Sequence, residues 1–137
     1  MKNFLLNLCG AIFEECVNGN YNSYNEYGNR TGTTRISNNS YTNYDEYGNT
    51  ISYCRKNNDN YTNYDRYGNT ISYCRKDSNG YSTYNRYGNR IGYCRETLDG
   101  YTLYDEYGCT TGYLRKDTSG RMVQYDRYGC RQGYVDN

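Results

Sequence analysis

The tyrosines of this chain recur at a regular spacing, and this repeat limits the possible folds more than any other feature. All 22 tyrosines fall into four series with a period of 20 residues, broken by one insertion near 121–124. One copy is Tyr61–Gly80, YTNYDRYGNTISYCRKDSNG. Repetition at this period is typical of proteins in which each copy forms one supersecondary unit. The chain therefore divides into an N-terminal segment, 1–19, and six Tyr/Gly-rich repeats over 20–137, the last one incomplete.

Two turn signals divide each repeat. The first is Asp/Asn-x-Tyr-Gly, as in Asp65–Gly68, and the second resembles Asp77–Gly80. Both suit a type I turn followed by a left-handed glycine, a common hairpin loop. The residues between the turns are β-branched or aromatic, as in strands. The pattern predicts an all-β fold in which tandem ~20-residue β-hairpins form an elongated antiparallel meander.

The register within a hairpin decides which side chains share a face. If Asp65 pairs with Asn69, Tyr61 lies opposite Tyr73 and on the same face as Arg75. The alternative fold is a β-solenoid with one repeat per coil, in which equivalent residues stack about 4.8 Å apart. The solenoid is less favoured, because each repeat has at most one Ile to fill a coil interior.

The N-terminal segment has a different pattern. Residues 3–17 hold seven of the sixteen Leu, Ile, Val and Phe residues, and Phe4, Leu8 and Ile12 lie at helical spacing. We expect an amphipathic helix that caps the first repeat, or alternatively binds a membrane surface or a partner. The apolar run is short and no small-residue cleavage site follows it, so we expect no signal peptide and a reducing, cytoplasmic location. An extracellular location would apply to a surface fibre.

The composition argues against several functions. The chain has no His, and its turn carboxylates recur as scaffold, so we expect no catalytic residue and no enzyme. No Cys-x-x-Cys pair is present, so we expect no metal and no cofactor. Cys54, Cys74 and Cys94 share one repeat position and are expected to pack on a strand, with disulfides as the alternative. The net charge of +1 provides no strong field for nucleic acid or for a membrane.

A row of arginines beside tyrosines is the best candidate for a binding surface. Tyr and Arg are enriched at interaction hot spots, and we expect the partner to be another protein. Alternatives are nucleic acid or glycan bound by tyrosine stacking, and self-assembly into a fibre through an open last strand near 130–135. The candidate binding residues are Arg35, Arg55, Arg75, Arg95, Arg115, Tyr53, Tyr73, Tyr93, Tyr113, Tyr61 and Tyr81.

The run Tyr64-Asp65-Arg66-Tyr67-Gly68-Asn69 resembles the core of the YD (Rhs-type) repeat of bacterial proteins. The period is more loosely similar to that of MORN and cell-wall-binding hairpin repeats, although this chain has no Trp of the kind that wall-binding repeats use to hold choline or glucan. The resemblance implies a β-hairpin scaffold and not a particular ligand. A bacterial or phage-encoded interaction or inhibitor module is the expected context.

Overall fold

The computed structural model describes residues 19–136, which form a single closed barrel of twelve antiparallel strands. Each strand is hydrogen-bonded to its neighbours in sequence, and the last strand pairs with the first. The strands are β1 (Gly19–Asn25), β2 (Arg30–Ser37), β3 (Ser40–Asp45), β4 (Thr50–Asn57), β5 (Asn60–Asp65), β6 (Thr70–Lys76), β7 (Gly80–Asn85), β8 (Arg90–Glu96), β9 (Gly100–Asp105), β10 (Thr110–Lys116), β11 (Met122–Asp126) and β12 (Arg131–Asp136).

Barrel closure corrects the predicted architecture. The all-β class is confirmed for the described residues, but the elongated meander and the alternative solenoid are both wrong, because β12 pairs with β1 through Tyr24–Tyr134 and its neighbours. Sheet twist accumulates from strand to strand and can curl a long sheet until its ends meet. The edge expected near 130–135 is therefore paired on both sides. The helix predicted over 3–17 lies outside the described residues, and within them no helix is long and apolar enough to cross a membrane.

The Asp/Asn-x-Tyr-Gly turns all lie at one rim of the barrel, where each odd-numbered strand leads into the next even-numbered one. In the third copy, Oδ1 of Asp65 accepts hydrogen bonds from the backbone N–H groups of Tyr67 and Asn69, both at 2.9 Å. Gly68 takes a φ of +89°, a conformation that a residue with a side chain rarely adopts. The predicted turn is confirmed. At the opposite rim, Gly120 has the predicted left-handed conformation, with a φ of +89°. Gly80 does not have it, because this residue is the first of strand β7.

A β-bulge in every one of these hairpins shifts the register from the one predicted. In the pair β5–β6, Tyr61 lies opposite Cys74 and Tyr64 opposite Thr70, so that Ile71 is the extra residue. Equivalent irregularities occur in the other five hairpins. Because one extra residue moves a strand's side chains to the other face, the predicted pairing of Tyr61 with Tyr73 is wrong.

Tyrosine and cysteine alternate inside the barrel. Tyr61 faces Cys74 and Tyr81 faces Cys94, so a large side chain is placed against a small one. All four are buried, which confirms the packing role expected for the cysteines. The core residues are Tyr21, Ile36, Tyr41, Cys54, Tyr61, Cys74, Tyr81, Cys94, Tyr101, Leu114, Met122 and Val135.

A polar layer lies next to this core. Asn43 donates from Nδ2 to Oγ of Ser52 at 2.9 Å, and Asn63 donates in the same way to Ser72 at 3.0 Å. Three of these four side chains are fully buried and the fourth is nearly so. Their hydrogen bonds offset the cost of removing amides and hydroxyls from water. The repeat thus builds a partly polar interior from short side chains.

Candidate functional site

Cross-strand tyrosine pairs run around the outside of the barrel. On the face opposite to the core, each even-numbered strand from β4 to β12 places a tyrosine directly opposite one from the next strand around the barrel. We call these residues, together with the neighbouring arginines, the tyrosine–arginine belt. The pairs are Tyr53–Tyr64, Tyr73–Tyr84, Tyr93–Tyr104, Tyr113–Tyr125 and Tyr134–Tyr24. The first repeat departs from the pattern, because Thr33 stands opposite Tyr44.

The predicted arginine row belongs to this belt. All five arginines, at 35, 55, 75, 95 and 115, are exposed. The guanidinium group of Arg75 lies 5.5 Å from the ring centre of Tyr84, and that of Arg115 lies 4.9 Å from Tyr113. Cation–π contacts of this kind hold the guanidinium against the ring face. Arg35 instead donates to Oδ1 of Asn20 at 3.4 Å.

The densest part of the belt lies on β8 and β9. The rings of Tyr93 and Tyr104 stack with their centres 4.8 Å apart and their planes 17° from parallel. Arg90 lies 4.2 Å from the centre of Tyr93, and Arg95 lies within 5.7 Å of both rings. The π faces in this cluster are thus engaged by one another and by guanidinium groups, whose outer N–H groups can still donate to a ligand.

A second cluster lies where the barrel closes. Tyr24 and Tyr134 stack at 4.7 Å, and Arg121 and Arg131 lie 4.7 and 4.6 Å from the Tyr134 ring. Arg121 also forms an ion pair with Asp117 at 3.0 Å. A hydrogen bond from Ser119 and further bonds from Arg121 lower the pKa of Asp117 well below its usual range, and the carboxylate in turn raises the pKa of Arg121. This cluster is partly neutralised by its own carboxylate.

The remainder of the belt has little such compensation. From β4 to β10 its outward positions carry mainly Tyr, Arg, Thr and Ser, with the exposed Ile71 and Ile91 at the bulges. One carboxylate reaches this part of the belt, since Asp77 accepts a hydrogen bond from Ser82 at 3.3 Å, whereas Asp65 and Asp105 occupy turns at the rim. The belt is therefore locally basic although the whole chain carries a net charge of only +1. A surface of this kind suits ligands that bring carboxylate or other anionic groups.

The structure divides the predicted binding residues into two sets. Tyr53, Tyr73, Tyr93 and Tyr113 lie in the belt beside the arginine row. Tyr61 and Tyr81 are only 1% and 2% exposed and line the interior, so the prediction that these two tyrosines share a face with the arginine row is wrong. Sequence reasoning missed the partner tyrosines of the belt at 24, 64, 84, 104 and 125, because the register that places them there depends on the bulges and, for Tyr24, on closure of the barrel.

A cavity of about 570 Å³ opens into the barrel between β6 and β11. Its wall includes Ser72, Thr83, Cys94 and Leu103, together with Ile91, which is 43% exposed. Burial raises the pKa of Cys94 to about 12, so this thiol stays protonated and is a poor nucleophile at neutral pH. Within residues 19–136 no group of three or more His, Cys, Asp or Glu side chains could hold a metal ion.

The fold and the belt define a class: a closed all-β barrel of twelve strands that displays paired tyrosines and arginines. The barrel is similar to the X-ray structure of a protein from Arabidopsis thaliana, with a TM-score of 0.60 and 10% sequence identity over 89% of this chain and 82% of that chain. At this identity the likeness concerns the fold alone. No protein-family model matches the chain, and the search of curated proteins finds no similar sequence.

Proposed function

We propose that the chain is a non-enzymatic binding protein whose tyrosine–arginine belt holds a partner protein through an acidic surface. The observation that supports this proposal is the repeated placement of exposed guanidinium groups over outward tyrosines, as in Arg75 over Tyr84 and Arg115 over Tyr113. Stacking on a ring limits the freedom of the arginine before binding, which lowers the entropy lost on association. The planar fork of Arg then matches a carboxylate with two parallel hydrogen bonds.

The ring contacts favour a protein over nucleic acid or glycan. Bases and sugars bind to exposed tyrosines through an open ring face. In the densest cluster Tyr93 already stacks on Tyr104 and contacts Arg90, so a base would have to displace these contacts. Carboxylates need only the outer edges of the guanidinium groups. The fibre alternative no longer has the open last strand on which it was based.

The proposal is tested with two triple variants that remove the same charge from different places. The first, Arg75→Ala with Arg95→Ala and Arg115→Ala, removes the belt arginines. The matched control removes Lys56, Lys76 and Lys116, which lie near the ends of β4, β6 and β10 at the opposite rim. Lysate of the source organism, with and without nuclease treatment, is passed over each immobilised protein. The retained proteins and nucleic acids are identified, and the affinities of the retained proteins are measured by calorimetry.

We expect the belt variant to bind the identified partner about 100-fold or more weakly, since one hot-spot arginine contributes ~1–2 kcal/mol or more. The control should bind within a few-fold of the wild type, and affinity should fall with added salt. Equal binding by both variants would contradict the proposal. Loss of the ligand after nuclease treatment would show that nucleic acid is the partner instead.

A further inference from the structure

Six tyrosines stand at the tips of the turns at one rim, and folding does not explain them. Each is the third residue of an Asp/Asn-x-Tyr-Gly turn, and each is between 74% and 83% exposed. The turn itself needs only the Asp or Asn at its start and the Gly at its end. We call this set the tyrosine rim. Its members are Tyr27, Tyr47, Tyr67, Tyr87, Tyr107 and Tyr128.

The rim presents its tyrosines on a rigid support. Backbone N–H groups of Tyr67 and Asn69 donate to the Asp65 side chain, and Gly68 N–H donates to the Asp65 carbonyl at 3.1 Å. The preceding side chain also contacts the ring, as Arg66 lies 5.0 Å from the centre of Tyr67. Large aromatic side chains on preorganised loops provide contact area with little loss of conformational entropy, as in antibody binding sites.

The charges beside these tyrosines form a self-complementary order. The residue before each tyrosine is, in order around the rim, Glu26, Glu46, Arg66, Arg86, Glu106 and Arg127. When a second copy faces the rim across a twofold axis perpendicular to the barrel axis, its turns run in the opposite direction.

One rotational setting of the two copies pairs every rim charge with its opposite. In that setting Glu26 faces Arg86, Glu46 faces Arg66 and Glu106 faces Arg127, each twice. In two other settings, too, no turn faces the equivalent turn of the second molecule. One of them places Glu26 against Glu46, and the other places Arg66 against Arg86. Complementary charge therefore selects one register and disfavours its neighbours.

The exposed area is also sufficient for a dimer. Six tyrosines exposed to this degree offer about 900 Å² per molecule, taking ~200 Å² for each side chain. A stable interface of standard size buries about 800 Å² on each partner. We propose that the tyrosine rim is the contact surface for a second copy of this chain, in a twofold rim-to-rim dimer. This surface is separate from the belt, and the inference does not depend on the proposed function.

Charge reversal at two turns tests the register as well as the surface. In a dimer of the variant Arg66→Glu with Arg86→Glu, the new carboxylates of one molecule face Glu46 and Glu26 of the second molecule, so like charges meet. In a dimer of the variant Glu26→Arg with Glu46→Arg, the new guanidinium groups face Arg86 and Arg66 in the same way. In a mixture of the two, however, every facing pair is again opposite in charge. Analytical ultracentrifugation over a concentration series measures each sample.

We expect the wild type to form dimers, each charge variant alone to dissociate at least tenfold more readily, and the equimolar mixture to form heterodimers. The doubly substituted belt variant Arg75→Ala with Arg95→Ala should dimerise like the wild type, and circular dichroism should show all variants to be folded. A wild type that is monomeric at every concentration overturns the proposal. So do variants that dimerise alone as well as they do together.

Discussion

A single side chain holds each turn of the tyrosine rim. The N–H of Asn69, as the largest contribution, and that of Tyr67 donate to the Asp65 carboxylate and lower its pKa below the usual range. Asn85 starts the equivalent turn and accepts the same two bonds at 2.9 and 3.0 Å through an amide oxygen. The acceptor oxygen, and not the negative charge, is thus the feature that the turn requires.

This predicts different outcomes for two substitutions at one position. Asp65→Ala removes the acceptor from two backbone N–H groups and should lower the thermal midpoint. Asp65→Asn keeps an acceptor, as Asn85 does, and should lower the midpoint much less. Thermal unfolding followed by circular dichroism at neutral pH measures both variants. Equal losses would show that the carboxylate acts through its charge.

Acid should destabilise the fold in part through Asp117. The folded-state pKa of this carboxyl lies below its unfolded value of about 3.9. Its contribution to stability is therefore complete above pH ~4 and is lost as the pH falls toward the folded pKa. Between pH 5 and pH 2 the wild type should lose more stability than Asp117→Asn, whose side chain cannot titrate. Parallel curves of denaturation midpoint against pH would rule out this contribution.

Thiol reactivity should follow the position of each cysteine in the repeat. Cys54 and Cys94 lie inside the barrel. Burial raises the pKa of Cys94 to about 12, so at pH 8 its thiol is ionised in only about one molecule in ten thousand. Cys109 and Cys130 are exposed in the turns. A brief treatment with iodoacetamide, followed by peptide mapping, should label these two before Cys54 and Cys94. Comparable labelling of Cys94 in the native protein would contradict its burial.

At the scale of the strand, sequence reasoning located the turns but did not detect the bulges. Asp, Asn and Gly mark turns through local chemistry, so Asp65–Gly68 could be recognised without knowledge of the rest of the fold. Nothing in the run Thr70-Ile71-Ser72 distinguishes an extra residue from a regular strand. The bulge at Ile71 moves Tyr61 into the interior and Tyr64 into the belt, so the site was predicted only in part.

Four strands carry a glycine at the position where β4 and β6 carry Ser52 and Ser72. At Gly112 a Cβ atom would stand 2.5 Å from the backbone carbonyl oxygen of Tyr125 on the neighbouring strand. A carbonyl in a strand ladder cannot move away without weakening its hydrogen bonds. A Cβ atom at Gly112 would therefore force the backbones of β10 and β11 apart, even though the φ of Gly112 is not left-handed. In β4 and β6 the same position accommodates the buried Ser52 and Ser72.

Gly112→Ala should accordingly destabilise the protein by ~1–3 kcal/mol, the usual cost of inserting an atom into a well-packed region. The neighbouring Thr111→Ala is the matched control, because Thr111 is exposed and its truncation creates no clash. Urea denaturation gives the free energy of unfolding of both variants. If Gly112→Ala unfolds at the same urea concentration as the control, the two strands do not approach as closely as described.

At the scale of the whole molecule, closure was the feature that sequence could not supply. A period of 20 residues predicts what each copy forms, and repeats of this kind commonly stack in a line. Whether six hairpins stay open or close depends on the summed twist and tilt of twelve strands, which no single repeat determines. The exposed arginine row could be predicted locally, whereas its arrangement around a barrel could not.

Removal of the last strand distinguishes a closed barrel from a linear array. In a linear array, losing the terminal unit removes only its own stability and one interface. In the barrel, β12 pairs with β1 through Ser23–Val135 and with β11 through Val123–Tyr134. Deleting residues 131–137 would leave β1 and β11 with unpaired edges and would open the core to water.

We therefore expect the deletion of 131–137 to abolish cooperative thermal unfolding and to cause association through the exposed edges, whereas deletion of 136–137 should lower the midpoint only slightly. Calorimetry measures the transition of each variant and of the intact chain. Retention of a cooperative transition close to the wild-type midpoint after the larger deletion would mean that β12 does not close the barrel.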